Sequence, residues 1–542
     1  MRGCMGTYQY KKAWIPSIVF AVSLPAALFI GACGEPTEIK PSPPTGLGTT
    51  IGSLVEVSSP DSIAVEGYGL VGGLRETGSS ECPPEIRAYL KQYIMTQLPE
   101  HKINATKLIS SRKTAVVLLY GIMPAAVSKR QRFDVKVTAL PGTQTTSLQG
   151  GRLYAADLKM AGAFGMTTKV PATVKGPVFI DSINSSGTNK RAGYILGGGR
   201  VLGEYKVRLS LRPDYRAANL IRNKLNERFG EGTAKATSPS QIELEVPAKY
   251  KEQKQRFISI VKAIYLAETS GTTNERIDTF VKKLGSLEDK EQSEIALEAT
   301  GNKCLTKLAG LLNSSNEEVR LRAGRCMLNL GSNRGLGTLR TIAMDKSSAY
   351  RIEALETITS GANRNDAAAI SRRLLRDPNF DIRLAAYENL RKMGDIAIMQ
   401  SLVAGDFYLE QITQTKYNAI FVSRSGQPRI VLFGAPLYCS ENIFVQSADG
   451  NITINARAGQ KYVSVVRKLP QRPDVPPITL KSSFELGDII RTLCESAIVK
   501  EGSAVRPGLN ISYSDAIYIL KQMCEKGVVA AEFRAGPLPK TD

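Results

Sequence analysis

Histidine is almost missing: His101 is the only one in 542 residues. That excludes a histidine-based zinc cluster and leaves little room for a Ser-His-Asp system. His101 follows Glu100 in a polar stretch and reads as a surface residue. The eight cysteines (Cys4, Cys33, Cys82, Cys304, Cys326, Cys439, Cys494 and Cys524) include no CxxC pair, which removes thioredoxin-like and cysteine-pair metal sites. No GKS/T run occurs. Gly67 to Gly72 fits GxGxxG literally, but helix signals wait until Pro84, so no helix N-terminus would meet a pyrophosphate. These glycines read instead as a tight backbone path beside a strand, and Gly197-Gly198-Gly199 as a flexible turn. No GxSxG elbow is present. Acidic pairs such as Glu204 and Asp214 cannot be brought together from sequence, so a glycosidase reading lacks support. No catalytic, cofactor-binding or metal-binding residue is nominated, and no cofactor.

What the chain has is length, ordinary apolar content and positive charge. Hydrophobic residues make up 42%, which supports real cores, and 542 residues suit two to four domains. The formal charge of +21 falls by three to +18 when the first 32 residues, with Arg2, Lys11 and Lys12, are set aside. The surplus is spread with no long Lys/Arg block. It fits a solvated basic surface or attraction to an anionic partner such as cell wall, lipid or an acidic protein. No DNA- or RNA-binding motif accompanies it, so nucleic acid is not expected.

The N-terminus reads as an address. Trp14 to Ala32 run 19 residues without a charge, ending in Ile30-Gly31-Ala32-Cys33. A basic start, an apolar middle and a small-residue end make a secretory signal. The ending resembles a bacterial lipoprotein site, with Cys33 as the lipidated first residue and Gly34 after it implying the outer membrane. The other reading is a retained membrane helix, against which Pro16 and Pro25 stand. Residues 33–49 hold Pro36, Pro41, Pro43 and Pro44 and read as a tether. Both readings place the remainder outside the cytoplasm. There some of the six remaining cysteines are free to pair, with one disulfide among Cys439, Cys494 and Cys524 expected. Cys304 and Cys326 lie on expected helices and fit core thiols.

The fold class expected is α+β: two α+β regions, 50–267 and 415–542, separated by an α-solenoid at 268–414. In the first, 114–120 and 133–140 read as strands. Residues 84–98 read as a helix, with Ile86, Leu90, Ile94 and Leu98 on one face. Residues 213–229 read as a helix stopped by Gly230, and 241–246 as a strand ended by Pro247. In the middle, three segments align: Val319-Arg320 to Ala323, Tyr350-Arg351 to Ala354, and Ile382-Arg383 to Ala386. A small residue follows each, at Gly331, Gly361 and Gly394. Two are preceded by Leu-rich helices, 305–312 and 370–375. A period near 30 with paired helices marks an α-solenoid and resembles HEAT-type repeats, which present a surface to a partner. In the last region 417–423 with 429–433, and 444–446 with 452–456, read as hairpins. Residues 486–493 and 514–526 read as helices, the second capped by Ser512 or Ser514 and ended by Gly527.

The run Glu66-Gly67-Tyr68-Gly69-Leu70-Val71-Gly72-Gly73-Leu74 to Gly78 resembles the opening motif of the bacterial flagellar P-ring family. Later stretches follow in the family's order: Arg112 to Leu119, Gln131 to Val137, the turn Ser147-Leu148-Gln149-Gly150-Gly151-Arg152-Leu153, and Leu209 to Pro247. Val422 to Gly426 and Ser514 to Phe533 resemble the family's C-terminal part. Residues 268–414 interrupt the family pattern, and the family usually has a soluble periplasmic signal rather than a lipobox. The resemblance implies a non-enzymatic periplasmic subunit that assembles with copies of itself into a ring around the flagellar rod, in the peptidoglycan layer. Its implied neighbours are the rod, the outer-membrane ring proteins and peptidoglycan, with the outer membrane reached through lipid and an unknown protein on the helical repeat. Gly67, Tyr68, Gly69, Gly72, Gly73, Gly78, Gly150 and Gly151 are its structural elements. The alternatives are a non-flagellar outer-membrane lipoprotein scaffold that docks an envelope partner through its helices, and a cell-wall-active enzyme.

Overall fold

The barrel at the N-terminal side is built from strands whose residues alternate inward and outward. Ser62–Gly72 is followed around the cylinder by Ala115–Pro124, Arg132–Ala139, Ala192–Val201, Ala172–Pro177 and Arg152–Met160, each paired with the next, and the last pairs with the first and closes it. Every pairing is antiparallel. Inward Val65, Val117, Leu119, Val135, Leu153 and Ile195 fill the interior, so the barrel is a packed core and not a pore. The structure, a computed structural model, describes residues 47–58, 62–97, 104–124, 128–162, 170–183, 188–286, 289–470, 474–496 and 508–540. The expectations for His101, Cys33, the signal and most of the tether therefore lie outside the described residues.

Helix Pro84–Gln97 starts on a proline, whose missing N–H costs nothing in a first turn, and carries Glu85 there to suit the helix dipole. Its Leu90 covers the outer face of the barrel beside Leu70 and Val116. A four-stranded sheet stands next to the barrel, in the order Val55–Val57, Val207–Leu211, Gln241–Leu244, Ala234–Ser238. Helix Tyr215–Phe229 lies on it. Asp214 caps that helix by accepting from the N–H groups of Arg216 and Ala217, and Gly230 ends it at φ +106°. Ile221, Leu225, Phe257 and Ile260 join the sheet in one core.

From Ser270 the chain is helical to Lys392. The three aligned segments fall on the second helix of three successive pairs: Leu305–Leu311 with Glu317–Asn329, Leu336–Met344 with Arg351–Gly361, and Arg364–Leu374 with Phe380–Lys392. The helical stretch ends earlier than the 414 expected. Met399–Val403 and Phe407–Ile412 are strands of the following sheet, ordered Met399–Val403, Phe407–Ile412, Arg429–Phe433, Ala419–Val422, Glu532–Ala535. Gly394 at φ +60° stops the last helix, and Ala404 and Gly405, at φ +53° and +75°, turn the first of these strands into the second. Their sheet identity comes from pairing, Phe407–Ile412 running parallel to Arg429–Phe433.

Both C-terminal hairpins form as the sequence indicates, Ala419–Val422 with Arg429–Phe433 and Ile443–Gln446 with Ile452–Ala456. Helix Tyr513–Glu525 is capped by Ser512, which accepts from the Asp515 N–H, and Gly527 follows it at φ +69°. The helical segment has no core of its own next to this sheet: Leu355, Ile370 and Tyr387 share one with Phe421 and Phe433. Residues from Thr45 onward accordingly form one compact unit.

The glycine run Gly197-Gly198-Gly199 is not a turn but part of strand Ala192–Val201. There Phe133 pairs with Gly199 and Val135 with Ile195, so two extra residues bulge from the strand. Gly199 leaves the room occupied by the Phe133 ring. The bridge expected among Cys439, Cys494 and Cys524 is not formed, and all six described cysteines are free thiols. Burial pushes the Cys439 thiol up to about 12, with a further rise from the charge of Cys524, so the thiolate needed for exchange is disfavoured.

Candidate functional site

The motif glycines lie inside a strand rather than beside one, and they make the seam where the barrel closes. Strand Ser62–Gly72 meets Arg152–Met160 with Glu66 opposite Lys159 and Val71 opposite Leu153, a mismatch absorbed by a bulge. At that bulge the backbones come close. A Cβ on Gly67 would stand 2.4 Å from the Asp157 carbonyl oxygen, and one on Gly69 would meet Leu153 at 2.8 Å and Leu119 at 3.0 Å. Tyr68 faces the other way and packs with the helix that covers the barrel. Gly72 abuts the Tyr154 ring, and Gly73 turns the chain out of the strand at φ +78°.

The second predicted element, Ser147 to Leu153, is brought directly against the first. The Thr77 hydroxyl donates to the Ser147 carbonyl at 2.8 Å, and the Thr146 N–H donates to the Thr77 carbonyl at 2.9 Å. Gly150 sits at φ +72° in this turn, and a Cβ on Gly151 would lie 2.5 Å from Val71 and 2.7 Å from Leu74. Sequence reasoning therefore identified the two halves of one seam without seeing that they touch.

Onto the barrel docks the C-terminal unit, through polar groups that sequence reasoning missed. The Asp134 carboxylate accepts from the Gly197 N–H at 2.6 Å and from the Gly426 N–H at 2.8 Å. Burial raises the Asp134 pKa, while these two N–H groups pull against that rise. Arg424 reaches Asp181 at 3.0 Å, Ser514 accepts from the Ile180 N–H at 3.1 Å, and Gln149 donates to Asp515 at 2.8 Å. The run Val422 to Gly426 is thus the foot of the C-terminal unit on the barrel. Replacing Asp134 with alanine strands the buried Gly197 N–H, at a cost of about 1–3 kcal/mol, and releases the exposed Gly426 N–H to water. We expect a lowered denaturant midpoint and faster proteolysis between barrel and C-terminal unit, read by limited digestion.

A second joint holds the helical segment to the N-terminal sheet. Glu294 and Glu298 are fully buried. Glu294 accepts from Arg256 at 2.7 Å, Arg322 at 3.0 Å and Arg325 at 2.6 Å. Glu298 accepts from Arg256, from the Tyr250 hydroxyl at 3.1 Å and from Asn329 at 3.1 Å. Tyr250 and Arg256 belong to the N-terminal part and the other groups to the helices, so the network spans the junction. A third joint links helix Phe380–Lys392 to the C-terminal sheet, where buried Glu410 accepts from Tyr387 and from Arg391 at 2.8 Å.

Two of the three aligned arginines have a shared role. Arg320 donates to the carbonyls of Ser314 and Ser315, and Arg383 to those of Asp377 and Pro378, the same offsets upstream. Arg351 donates to the Ala343 carbonyl at 3.1 Å and pairs with Asp377. Arg320 and Arg383 thus clamp the loop that precedes their own helix, whereas Arg351 ties the end of the preceding helix to the loop of the next pair.

Among the described residues no group of three or more His, Cys, Asp or Glu side chains could hold a metal ion, and no helix is long and apolar enough to cross a membrane. The described residues form a closed barrel with side units fixed to it by buried polar joints. Residues 50–279 match the sequence model of the flagellar P-ring protein family. Among the relatives are flagellar P-ring proteins of Hydrogenovibrio crunogenus, 30% identical over 36% of this chain and 56% of the relative, and of Anaeromyxobacter sp., 30% identical over 39% and 58%. That of Thermotoga maritima is 31% identical over 36% of this chain and 61% of its own length. Over residues 50–279 the chain is similar to the flagellar P-ring proteins. It spans between half and two thirds of the length of these relatives. The C-terminal likeness at 422–426 and 514–533 lies outside the matched residues.

Proposed function

We propose that this chain is a structural subunit of a periplasmic ring around the flagellar rod, a bushing in the peptidoglycan layer, and that it does no chemistry. The observation that carries this reading is the seam: the motif stretches Gly67–Gly78 and Ser147–Leu153 form one rigid joint that closes a packed barrel. A bushing needs such stiffness and needs no cleft. Copies of the chain assemble with one another, with the rod and with the outer-membrane ring proteins. Cys33 carries lipid that tethers the subunit to the outer membrane, and residues 33–49 span the gap.

The paired helices of 270–392, with their recurring loop-clamping arginines, support a HEAT-like solenoid that docks an envelope protein. That segment also keeps a second reading alive, a non-flagellar lipoprotein scaffold. Both are tested by gently extracting envelopes from cells that express a C-terminally tagged chain, then imaging the purified particles by negative-stain electron microscopy. Closed rings on rods are expected. Small particles from cells that do assemble rods would overturn the ring reading and favour the scaffold.

A further inference from the structure

A cavity of about 470 Å³ opens where the last helix pair meets the C-terminal sheet. Pro378 and Arg383 line it from the helical side. Lys416, Tyr417 and Asn418, on the approach to strand Ala419–Val422, and Glu532 of the edge strand Glu532–Ala535 line it from the sheet.

Arg383 is the third of the aligned arginines, and among the described residues it alone of the three makes no ion pair. Arg320 stands 3.8 Å from Glu317, and Arg351 is paired with Asp377. Three residues before Arg383, where Arg320 has Glu317, stands Phe380. Asp377 reaches Arg351 from the loop of the next helix pair, but after Arg383 the chain leaves the helices at Lys392 and no further pair follows. Arg383 is nevertheless only 2% exposed. Its Nη1 donates to the Asp377 and Pro378 carbonyls, and its Nε is buried with no hydrogen-bond partner. The guanidinium carbon stands 5.4 Å from the centre of the Phe380 ring and 5.2 Å from that of Tyr417, so ring faces supply part of the missing negative potential. The nearby carboxylates are already engaged, Glu532 by Arg534 and Asp377 by Arg351. Burial lowers the Arg383 pKa against the pull of these acids and of Tyr417. Exposed Lys416 adds a second cation, 5.5 Å from the centre of the Tyr417 ring.

We propose that this cavity is a receptor for a carboxylate, carried on an acidic side chain of a partner protein, with Arg383 as its anchor and Lys416 as its second cation. The two sister positions show what such an arginine holds in this fold, a glutamate or aspartate side chain. At the end of the helical segment the chain supplies none, and a cavity stands in its place. A buried guanidinium without a counter-charge is costly, so an incoming carboxylate relieves a cost the fold already bears. A planar carboxylate also suits the guanidinium fork. Glu532 on the rim repels a doubly charged phosphate more than a singly charged carboxylate. The proposal does not depend on whether the chain builds a ring.

The test is calorimetric titration of the full chain with a tripeptide blocked at both ends, glutamate between two glycines. The same peptide with glutamine is the neutral control, and inorganic phosphate and free glutarate are the rival anions. Saturable binding of the glutamate peptide and none of the glutamine peptide is expected. Arg383→Lys, which keeps the charge and loses the fork, should weaken binding tenfold or more. Lys416→Gln, at an exposed side chain, should weaken it at least threefold, and Lys282→Gln, an exposed lysine elsewhere, should leave it unchanged. Thermal unfolding of each variant separates lost binding from lost fold, and Lys416→Gln decides the matter if Arg383→Lys does not fold. Equal binding of the two peptides, equal effects of Lys416→Gln and Lys282→Gln, or tighter binding of phosphate would overturn the proposal. Tighter binding of glutarate than of the peptide would overturn the assignment to a protein partner.

Discussion

Gly78→Ala should cost more stability than any other single methyl group added to the motif. A Cβ at this position would lie 2.0 Å from the Thr114 carbonyl oxygen, 2.6 Å from its carbon and 2.7 Å from the Arg112 carbonyl oxygen. All three are backbone atoms, so no side-chain rotation relieves the clash. The backbone is also pinned, because the Gly78 N–H donates to Arg112 at 2.8 Å and the Ser79 N–H to Thr114 at 3.0 Å. Relief requires breaking those bonds or moving the start of strand Ala115–Pro124, and with it the barrel. Overpacking of a rigid site costs about 3 kcal/mol or more. Gly73→Ala is the matched control: nothing stands within 4 Å of its Cβ, so only the positive φ is penalised, at about 1 kcal/mol. Urea unfolding of both variants checks this, and a midpoint for Gly78→Ala equal to that of Gly73→Ala would refute the steric account.

Glu294→Ala is the second large effect. The carboxylate is fully buried and answers three guanidinium groups, so its removal leaves Arg256, Arg322 and Arg325 crowded together with only one carboxylate partner each, Glu298, Glu318 and Glu353. Breaking a buried ion cluster from one side costs about 3–5 kcal/mol. The same network gives a pH signature. Burial by itself would raise the Glu294 pKa, but the hydrogen bonds and charges of Arg325 and Arg256 outweigh it and hold the group below its ordinary 4.5. A folded value below the unfolded one means that the stabilisation is present above about pH 4.5 and is lost as the pH falls through the folded value. Acid should therefore loosen the helical segment from the N-terminal sheet, read as rising amide exchange in helix Lys290–Thr300. In Glu294→Gln that acid step should be much reduced. An unchanged acid profile in this variant would assign the transition to other carboxylates.

The contrast between these two sites explains what could be read from residues alone. The glycine motif was legible as structurally demanding because glycine-rich runs mark tight backbone, yet its place inside a strand was not. A strand with Gly67, Gly69 and Gly72 looks like a loop until the partner backbone that needs the space is known. Helix Tyr215–Phe229 was legible almost to the residue, because its stripe, its stop at Gly230 and its polar start are all local. The aligned segments of the helical region were legible as a period, and the physical content of the period, arginines holding the preceding loop, appeared only with the contacts. Glu294 and Glu298 carried no local signal, since a surface helix also alternates acids with alanine and leucine.

The sequence by itself determined several of the helices and strands, the Ser512 and Gly527 caps, both C-terminal hairpins, the helical periodicity and the likeness to the P-ring family, because each rests on neighbours within a few residues or on an ordered set of short motifs. Only the tertiary structure decided that six strands close into a barrel, that Met399–Val403 and Phe407–Ile412 join the last sheet, and that the helical segment is fixed to both flanking parts. Those outcomes depend on which distant backbones meet and which buried charges find partners. Glu294 and Arg325 are 31 residues apart, and Asp134 and Gly426 are 292 apart, separations that no local pattern records.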